Sequence, residues 1–189
     1  RIIGDFTLSC LSDTEFQITG SYGAQAIHMR WFLAHQDGVQ IENLSDSRTG
    51  FQIAGPNARH VLEAACGRAL DHIRFMDVTR LTVGAVDCIV QRLSYTGDLG
   101  FEIYCDAMQQ RSLWWALWQA GQAHGMTPFG MRAMMSLRLD RFFGSWLSEF
   151  SPDYTPFETG LDRFIPFDRK PDFIGRDAYA AMMHAPPSR

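Results

Sequence analysis

The sequence predicts an α+β fold, with antiparallel sheets, packed helices and a duplicated hairpin-plus-helix unit. Short alternating runs of apolar and polar residues come in pairs, joined by polar or glycine-rich turns, as hairpins do. Each pair is followed by a run of helical period that carries tryptophan. Strands grouped this way favour antiparallel pairing, whereas a parallel sheet needs a helix between successive strands.

Residues 6–11 alternate and lead through Ser12-Asp13-Thr14 into 15–19, which predicts a first hairpin. Residues 21–24 open a helix over 25–34, with Ile27, Trp31 and Ala34 on one face. Gln36-Asp37-Gly38 ends it, and 39–44 and 49–54 read as strands. Gly55-Pro56-Asn57 starts a helix over 58–65, proline being favourable in the first turn. The second half repeats the plan with a strand over 85–93, a glycine-rich turn at 96–100, a strand over 101–105 and a helix over 109–120. Phe16-Gln17-Ile18-Thr19 precedes Trp31 much as Phe101-Glu102-Ile103-Tyr104 precedes Trp115, which reads as an internal duplication. A further helix over 130–140 carries Met131, Met134, Met135 and Leu137 as core filler. Residues 142–167 are irregular and broken by Pro152, Pro156 and Pro166. A short helix begins near Arg176, and 185–189 reads as a linker. The expected organisation is a first α+β lobe over 1–84, a second over 85–168, and a connector over 169–189.

Composition narrows the function. The formal net charge is −4, and Lys170 is the single lysine, so the concentrated basic patch of a nucleic-acid surface is missing. No apolar stretch approaches the roughly 20 residues that cross a bilayer. The expectation is a soluble, cytoplasmic protein. Cys10, Cys66, Cys88 and Cys105 lie far apart without a CxxC pair and read as reduced core thiols. The histidines form no HxH or HExxH pattern; His28 and His35 share a helix face read as a partly exposed edge, and no metal site is expected.

Glycine-rich phosphate loops and nucleophile elbows are absent. The segment Tyr95-Thr96-Gly97-Asp98-Leu99-Gly100-Phe101-Glu102 stands out instead. By the two-residue strand period, Glu102 faces away from Phe101 and Ile103, into solvent or into a cleft.

Residues 95–103, YTGDLGFEI, resemble the YTGEDGFEI-type signature of the glycine-cleavage T-protein (aminomethyltransferase) family. Four further segments follow that family's order. Gly55-Pro56-Asn57-Ala58-Arg59 is similar to its GPxAR, and Ser136-Leu137-Arg138-Leu139-Asp140 to its SLRLE. Thr155-Pro156-Phe157-Glu158-Thr159-Gly160-Leu161 is similar to TPxEAGL, and Asp172-Phe173-Ile174-Gly175-Arg176 to DFIGR. The start, Ile2-Ile3-Gly4-Asp5-Phe6-Thr7, resembles the strand written GGxxxDxT, with Asp5 at the place of the catalytic aspartate.

The resemblance implies the T-protein folate-binding fold, tetrahydrofolate as cofactor, and one-carbon (aminomethyl or methyl) transfer from a small-molecule donor. It implies catalysis by Asp5, where residues alone leave a solvated carboxylate, and folate binding by Glu102 with Tyr95 lining the pocket. A carboxylate accepts the adjacent N–H donors of an aminopyrimidine edge, a charge-assisted pair. T-proteins carry an arginine where this chain has Met134; Arg132 lies two residues earlier, about 200° round the helix, and is the candidate substitute. Arg138 reads as a structural ion-pair residue. The GxRAxxSLRL pattern is closer to the folate region of dimethylglycine and sarcosine dehydrogenases, so a flavin dehydrogenase domain or a carrier protein is an expected partner.

The resemblance covers part of the family fold, with a C-terminal barrel expected beyond 189. A lone fragment is therefore expected to be inactive and to self-associate through an apolar face near Phe142, Phe143, Trp146, Phe150 and Phe157. The alternative is a non-catalytic folate-binding module related to iron–sulfur assembly factors. Asp5 favours the enzyme, and the KGC motif of those factors is not found in this sequence.

Overall fold

The structure is a computed structural model that describes residues 2–165, 167 and 172–184. Lys170, Pro166 and the linker over 185–189 lie outside the described residues. Two compact units form, one over Phe6–Phe143 and one joining the residues up to Asp5 to those from Gly144 on.

In the larger unit, β1 (Thr7–Cys10) and β2 (Phe16–Thr19) pair antiparallel as a two-stranded hairpin, with Leu8 opposite Ile18. A single 3₁₀ turn then leads into α1 (Gln25–Ala34). β3 (Arg48–Ala54) and α2 (Ala58–Cys66) follow, then β4 (Val78–Val83), β5 (Val86–Gln91) and β6 (Gly100–Asp106). A second 3₁₀ turn precedes α3 (Gln110–Gly121), and α4 (Met131–Leu139) comes last. The predicted duplication is visible in this order: hairpin, 3₁₀ turn, helix, twice. The second sheet has the antiparallel order β3-β6-β5-β4.

One face of that sheet is the core. Ile53, Leu81, Val83, Cys88, Val90, Phe101, Ile103 and Cys105 pack with Val61 and Leu62 of α2 and Leu113 and Leu117 of α3. Burying a large apolar side chain stabilises by about 1.5–3 kcal/mol. A one-residue slip of β6 would expose both Phe101 and Ile103 and turn Glu102 inward, so the register is held firmly.

Several expectations change. The alternating run 39–44 forms no strand, and the chain after it curls into a turn over 45–47. Asn43 Oδ1 accepts from the Ser45 amide, and the Leu44 carbonyl takes the amides of Ser47 and Arg48. β4 was not foreseen, although Val78-Thr79-Arg80-Leu81-Thr82-Val83 alternates and joins β5 through a two-residue turn at Gly84, φ 62°. The chain from Ile2 to Phe6 is not a strand; the ladder begins at Thr7. In α1 the buried position is His28, edge-on to Phe6 at 4.7 Å, while Ile27 is about half exposed. The α4 methionines are not core: Met131 is exposed, and the buried residue of α4 is Arg138. Of the thiols, Cys88 and Cys105 are buried, whereas Cys66 is half-buried and Cys10 exposed.

In the smaller unit Trp146 is buried, and its Nε1–H donates to the Ile2 carbonyl at 3.3 Å. The TPFE segment forms α5 (Pro156–Thr159), capped reciprocally by Thr155 and Glu158. Phe157 stacks on Tyr179 of α6 (Arg176–Met183) at 4.9 Å. Trp146 and Phe157 are therefore packed rather than bare, while Phe142 in the larger unit is almost fully exposed.

Candidate functional site

The second face of the four-stranded sheet is polar where the first is apolar. Gln52 of β3, Glu102 of β6 and Gln91 of β5 stand directly opposite one another across three strands. Tyr104 lies two residues along β6, opposite Gly50 and Ile89. Amides and carboxylate in one row cannot be left bare under an apolar cover without losing their hydrogen bonds.

The cover is the β1–β2 hairpin, and its own pattern is inverted to suit. Thr7, Ser9, Gln17 and Thr19 are the sheltered positions, while Leu8, Cys10, Phe16 and Ile18 face solvent. Gln91 Nε2–H donates to Ser9 Oγ at 2.8 Å, and Arg80 pairs with Glu15 at 3.0 Å. Gln91 Oε1, fully buried, has no partner among the described residues. On the other flank, Gln52 Nε2–H donates to Ser94 Oγ at 3.1 Å, and Ser94 meets Thr96 Oγ1 at 2.8 Å. This pins the glycine-rich loop beside the row. Gly100 lets the loop close in, since a Cβ there would lie 2.6 Å from Ser94 Cβ.

Glu102 is half-buried and accepts from Tyr104 Oη–H at 2.5 Å. Burial raises its pKa above the ordinary carboxylate value, and the Tyr104 hydrogen bond partly offsets that. Tyr104 is itself raised, first by burial, then by the negative charge and hydrogen bond of Glu102; the nearby Thr19 side chain acts the other way. The shared proton therefore stays on Tyr104, and Glu102 is the acceptor. A carboxylate has about four lone-pair directions, so one hydroxyl leaves room on both oxygens for further donors.

Tyr95 sits in the loop between β5 and β6, its ring stacked near-parallel on Phe143 at 6.4 Å. The neighbouring loop tip is held by Arg141, which pairs with Asp98 at 3.2 Å. Tyr95 and Glu102 are thus tied to one segment through Ser94 and Gln52. Arg132 is exposed on α4 and makes no hydrogen bond or ion pair among the described residues. Arg138 donates Nη1–H to the Phe143 carbonyl at 2.8 Å. Asp5 belongs to the other unit, two residues before β1. Much of its surface is open, yet atoms packed around the carboxyl push its pKa upward.

Tyr104, Gln52, Gln91 and Thr19 were missed from sequence. Tyr104 was within reach, since the parity that turns Glu102 away from the core turns Tyr104 with it. Gln52 and Gln91 interrupt apolar strands and carry the same signal.

Elsewhere in this unit, a groove of about 550 Å³ runs along β3, lined by Trp114, Trp118, His124, Phe129, Met131 and Met134 among others. No carboxylate lines it. Among the described residues no cluster of His, Cys, Asp or Glu is placed to hold a metal. No helix among them is long and apolar enough to cross a membrane.

The family model for the GCVT N-terminal domain matches residues 1–169. The chain belongs to that family. Mitochondrial dimethylglycine dehydrogenase of Homo sapiens is 34% identical over 184 residues, covering 94% of this chain and 21% of that protein. The Mus musculus protein is 33% identical over the same span. Aminomethyltransferase of Clostridium botulinum (strain Loch Maree / Type A3) is 31% identical over 180 residues, covering 94% of this chain and 49% of the relative. The chain thus spans about a fifth of the dehydrogenases and about half of the aminomethyltransferases it matches. Among solved structures, heterotetrameric sarcosine oxidase from Corynebacterium sp. U-96 aligns with a TM-score of 0.52 at 19% identity, over 68% of this chain and 65% of that one. The GCVT N-terminal domain therefore shares that structure's fold, and its mixture of helices and antiparallel sheets is the expected one.

Proposed function

We propose that this GCVT N-terminal domain is the folate-binding part of a tetrahydrofolate-dependent one-carbon transferase acting on an N-methylated amine. The observation that carries the reading is Glu102, a half-buried carboxylate held by Tyr104 in a polar row with lone pairs to spare. Its chemistry suits the adjacent N–H donors of a reduced pterin. Glu102 would hold the pterin edge, with Tyr95 packing its ring on the ligand and Arg132 the candidate for its acidic tail. Reduced folate, when bound, supplies the nitrogen that carries the one-carbon unit.

Asp5 is assigned proton transfer during that reaction. Its pKa is raised toward the working range of a general acid–base, which favours the role. A flavin domain is the proposed partner, taking the electron pair as the methyl carbon reaches the formaldehyde level, and relatives named as dehydrogenases favour such an oxidation. Exposed Leu8, Phe16 and Ile18 favour self-association of the isolated chain. The free thiols suit a reducing compartment, here the cytoplasm.

The test uses the full-length protein with tetrahydrofolate, an N-methylglycine carrying an isotope-labelled methyl group, and an electron acceptor. Label recovered on folate by mass spectrometry is the expected result. Label released only as free formaldehyde, at a rate indifferent to folate, would overturn the proposal.

A further inference from the structure

Glu102 does not stand alone: a line of polar groups reaches it from the hairpin that covers the sheet. Gln17 Nε2–H donates to Thr19 Oγ1 at 3.4 Å. Thr19 lies close enough to the Tyr104 hydroxyl to pull its pKa down against the effect of burial. Tyr104 donates to Glu102 Oε2 at 2.5 Å. Polar groups gathered in this way polarise one another.

The Tyr104 ring is fitted to this task by its cross-strand neighbour. Gly50 lies directly opposite, and a Cβ there would stand 2.7 Å from Tyr104 Cδ1 and 2.9 Å from Cε1. One edge of the ring lies over the bare backbone at Gly50, and its hydroxyl reaches the carboxylate two residues earlier on the same strand face. Gln52 and Gln91 flank Glu102 but are engaged with Ser94 and Ser9. Tyr104 is the hydrogen-bond partner of the Glu102 carboxylate among the described residues.

We propose that Tyr104 is a positioning residue of the ligand site, its hydroxyl fixing the Glu102 carboxylate so that the remaining lone pairs present a preformed acceptor pair to the ligand. This rests on the folate reading of Glu102. A free glutamate side chain samples several rotamers, and holding one of them beforehand removes part of the ordering cost of binding. The hydroxyl consumes one acceptor direction and leaves the others, so it orients the carboxylate without blocking it. The proposal makes the hairpin part of the site, since Thr19 and Gln17 reach the ligand only through Tyr104.

A double-mutant cycle on the full-length protein separates positioning from mere structure. Tetrahydrofolate binding is measured by calorimetry for wild type, Tyr104→Phe, Glu102→Gln and the double variant. Glu102→Gln is expected to weaken binding by about 10–100-fold, and Tyr104→Phe by about fivefold to tenfold. In the Glu102→Gln background Tyr104→Phe should add less than about twofold, because the group it positions is already changed. Thr19→Val should weaken binding less than Tyr104→Phe and lose its effect in the same background, which supplies the cycle if Tyr104→Phe cannot be purified. If Glu102→Gln leaves affinity unchanged, the folate reading itself fails. If Glu102→Gln weakens binding while Tyr104→Phe is silent, or is equally costly in both backgrounds, the positioning role fails and the folate reading stands.

Discussion

Gly50→Ala puts a methyl group into the space that the Tyr104 ring occupies. The new Cβ would lie 2.7 Å and 2.9 Å from Tyr104 Cδ1 and Cε1, and 3.3 Å from the Ile103 carbonyl oxygen. Those separations are well inside van der Waals contact, so the ring must tilt away. The backbone oxygen is fixed in the ladder and cannot yield, whereas the ring can, at the expense of its hydrogen bond to Glu102. A bond to a charged acceptor contributes about 1.5–3 kcal/mol. Replacing glycine in a strand returns about 0.5–1 kcal/mol through reduced unfolded-state freedom. The expected net loss is about 1–2 kcal/mol, or about 2–8 °C in Tm for a chain of this size. Thermal melts followed by circular dichroism measure it. In a Tyr104→Phe background the hydrogen bond is already gone and the ring is free to shift, so the same glycine change should cost under about 0.5 kcal/mol. A higher Tm for Gly50→Ala alone, or an equal loss in both backgrounds, would refute the packing argument.

Glu102 predicts a pH effect whose sign follows from its raised pKa. Folded protein binds the proton more tightly than unfolded chain, so the contribution of Glu102 to stability is present below the ordinary carboxylate pKa and is lost as pH rises through the raised one. Wild-type Tm minus that of Glu102→Gln should therefore fall with rising pH across that window, and a difference that rises instead would contradict the burial of this carboxylate. Asp5→Asn should lower turnover of the full-length enzyme by about 10²–10⁴ while changing folate affinity far less; equal losses in both would make Asp5 a binding residue only.

The hairpin tips, the helices over 25–34 and 109–120, and the direction of Glu102 were legible because each depends on local spacing. Phe101 and Ile103 alternate with Glu102, and that parity holds in the structure. Other features depend on what covers a face, which alternation does not encode. Leu8, Phe16 and Ile18 look like the buried side of a hairpin, yet they point outward because the sheet beneath is polar. Ile27 lost its buried place to His28 for a similar reason, Phe6 having packed against the imidazole. Residues 39–44 alternate as a strand should, but no strand among the described residues pairs with them, and Asn43 accepts from the Ser45 amide at the turn that follows. Arg132 stands near the place of an arginine that T-proteins carry, yet it is exposed on α4 and makes no hydrogen bond or ion pair among the described residues. Tyr104 carried the right parity but no motif of its own, and only the bare backbone at Gly50 reveals its fit.

The most direct measurement is calorimetric titration of tetrahydrofolate into the full-length protein and into its Glu102→Gln variant at neutral pH. The amide keeps the size and shape of the carboxylate but removes its charge and replaces one acceptor oxygen with a donor, so one of the adjacent N–H groups loses its partner. The account predicts binding by the wild-type protein and an affinity about 10–100-fold weaker in the variant. Absent binding by wild type, or equal affinity in both proteins, would contradict it.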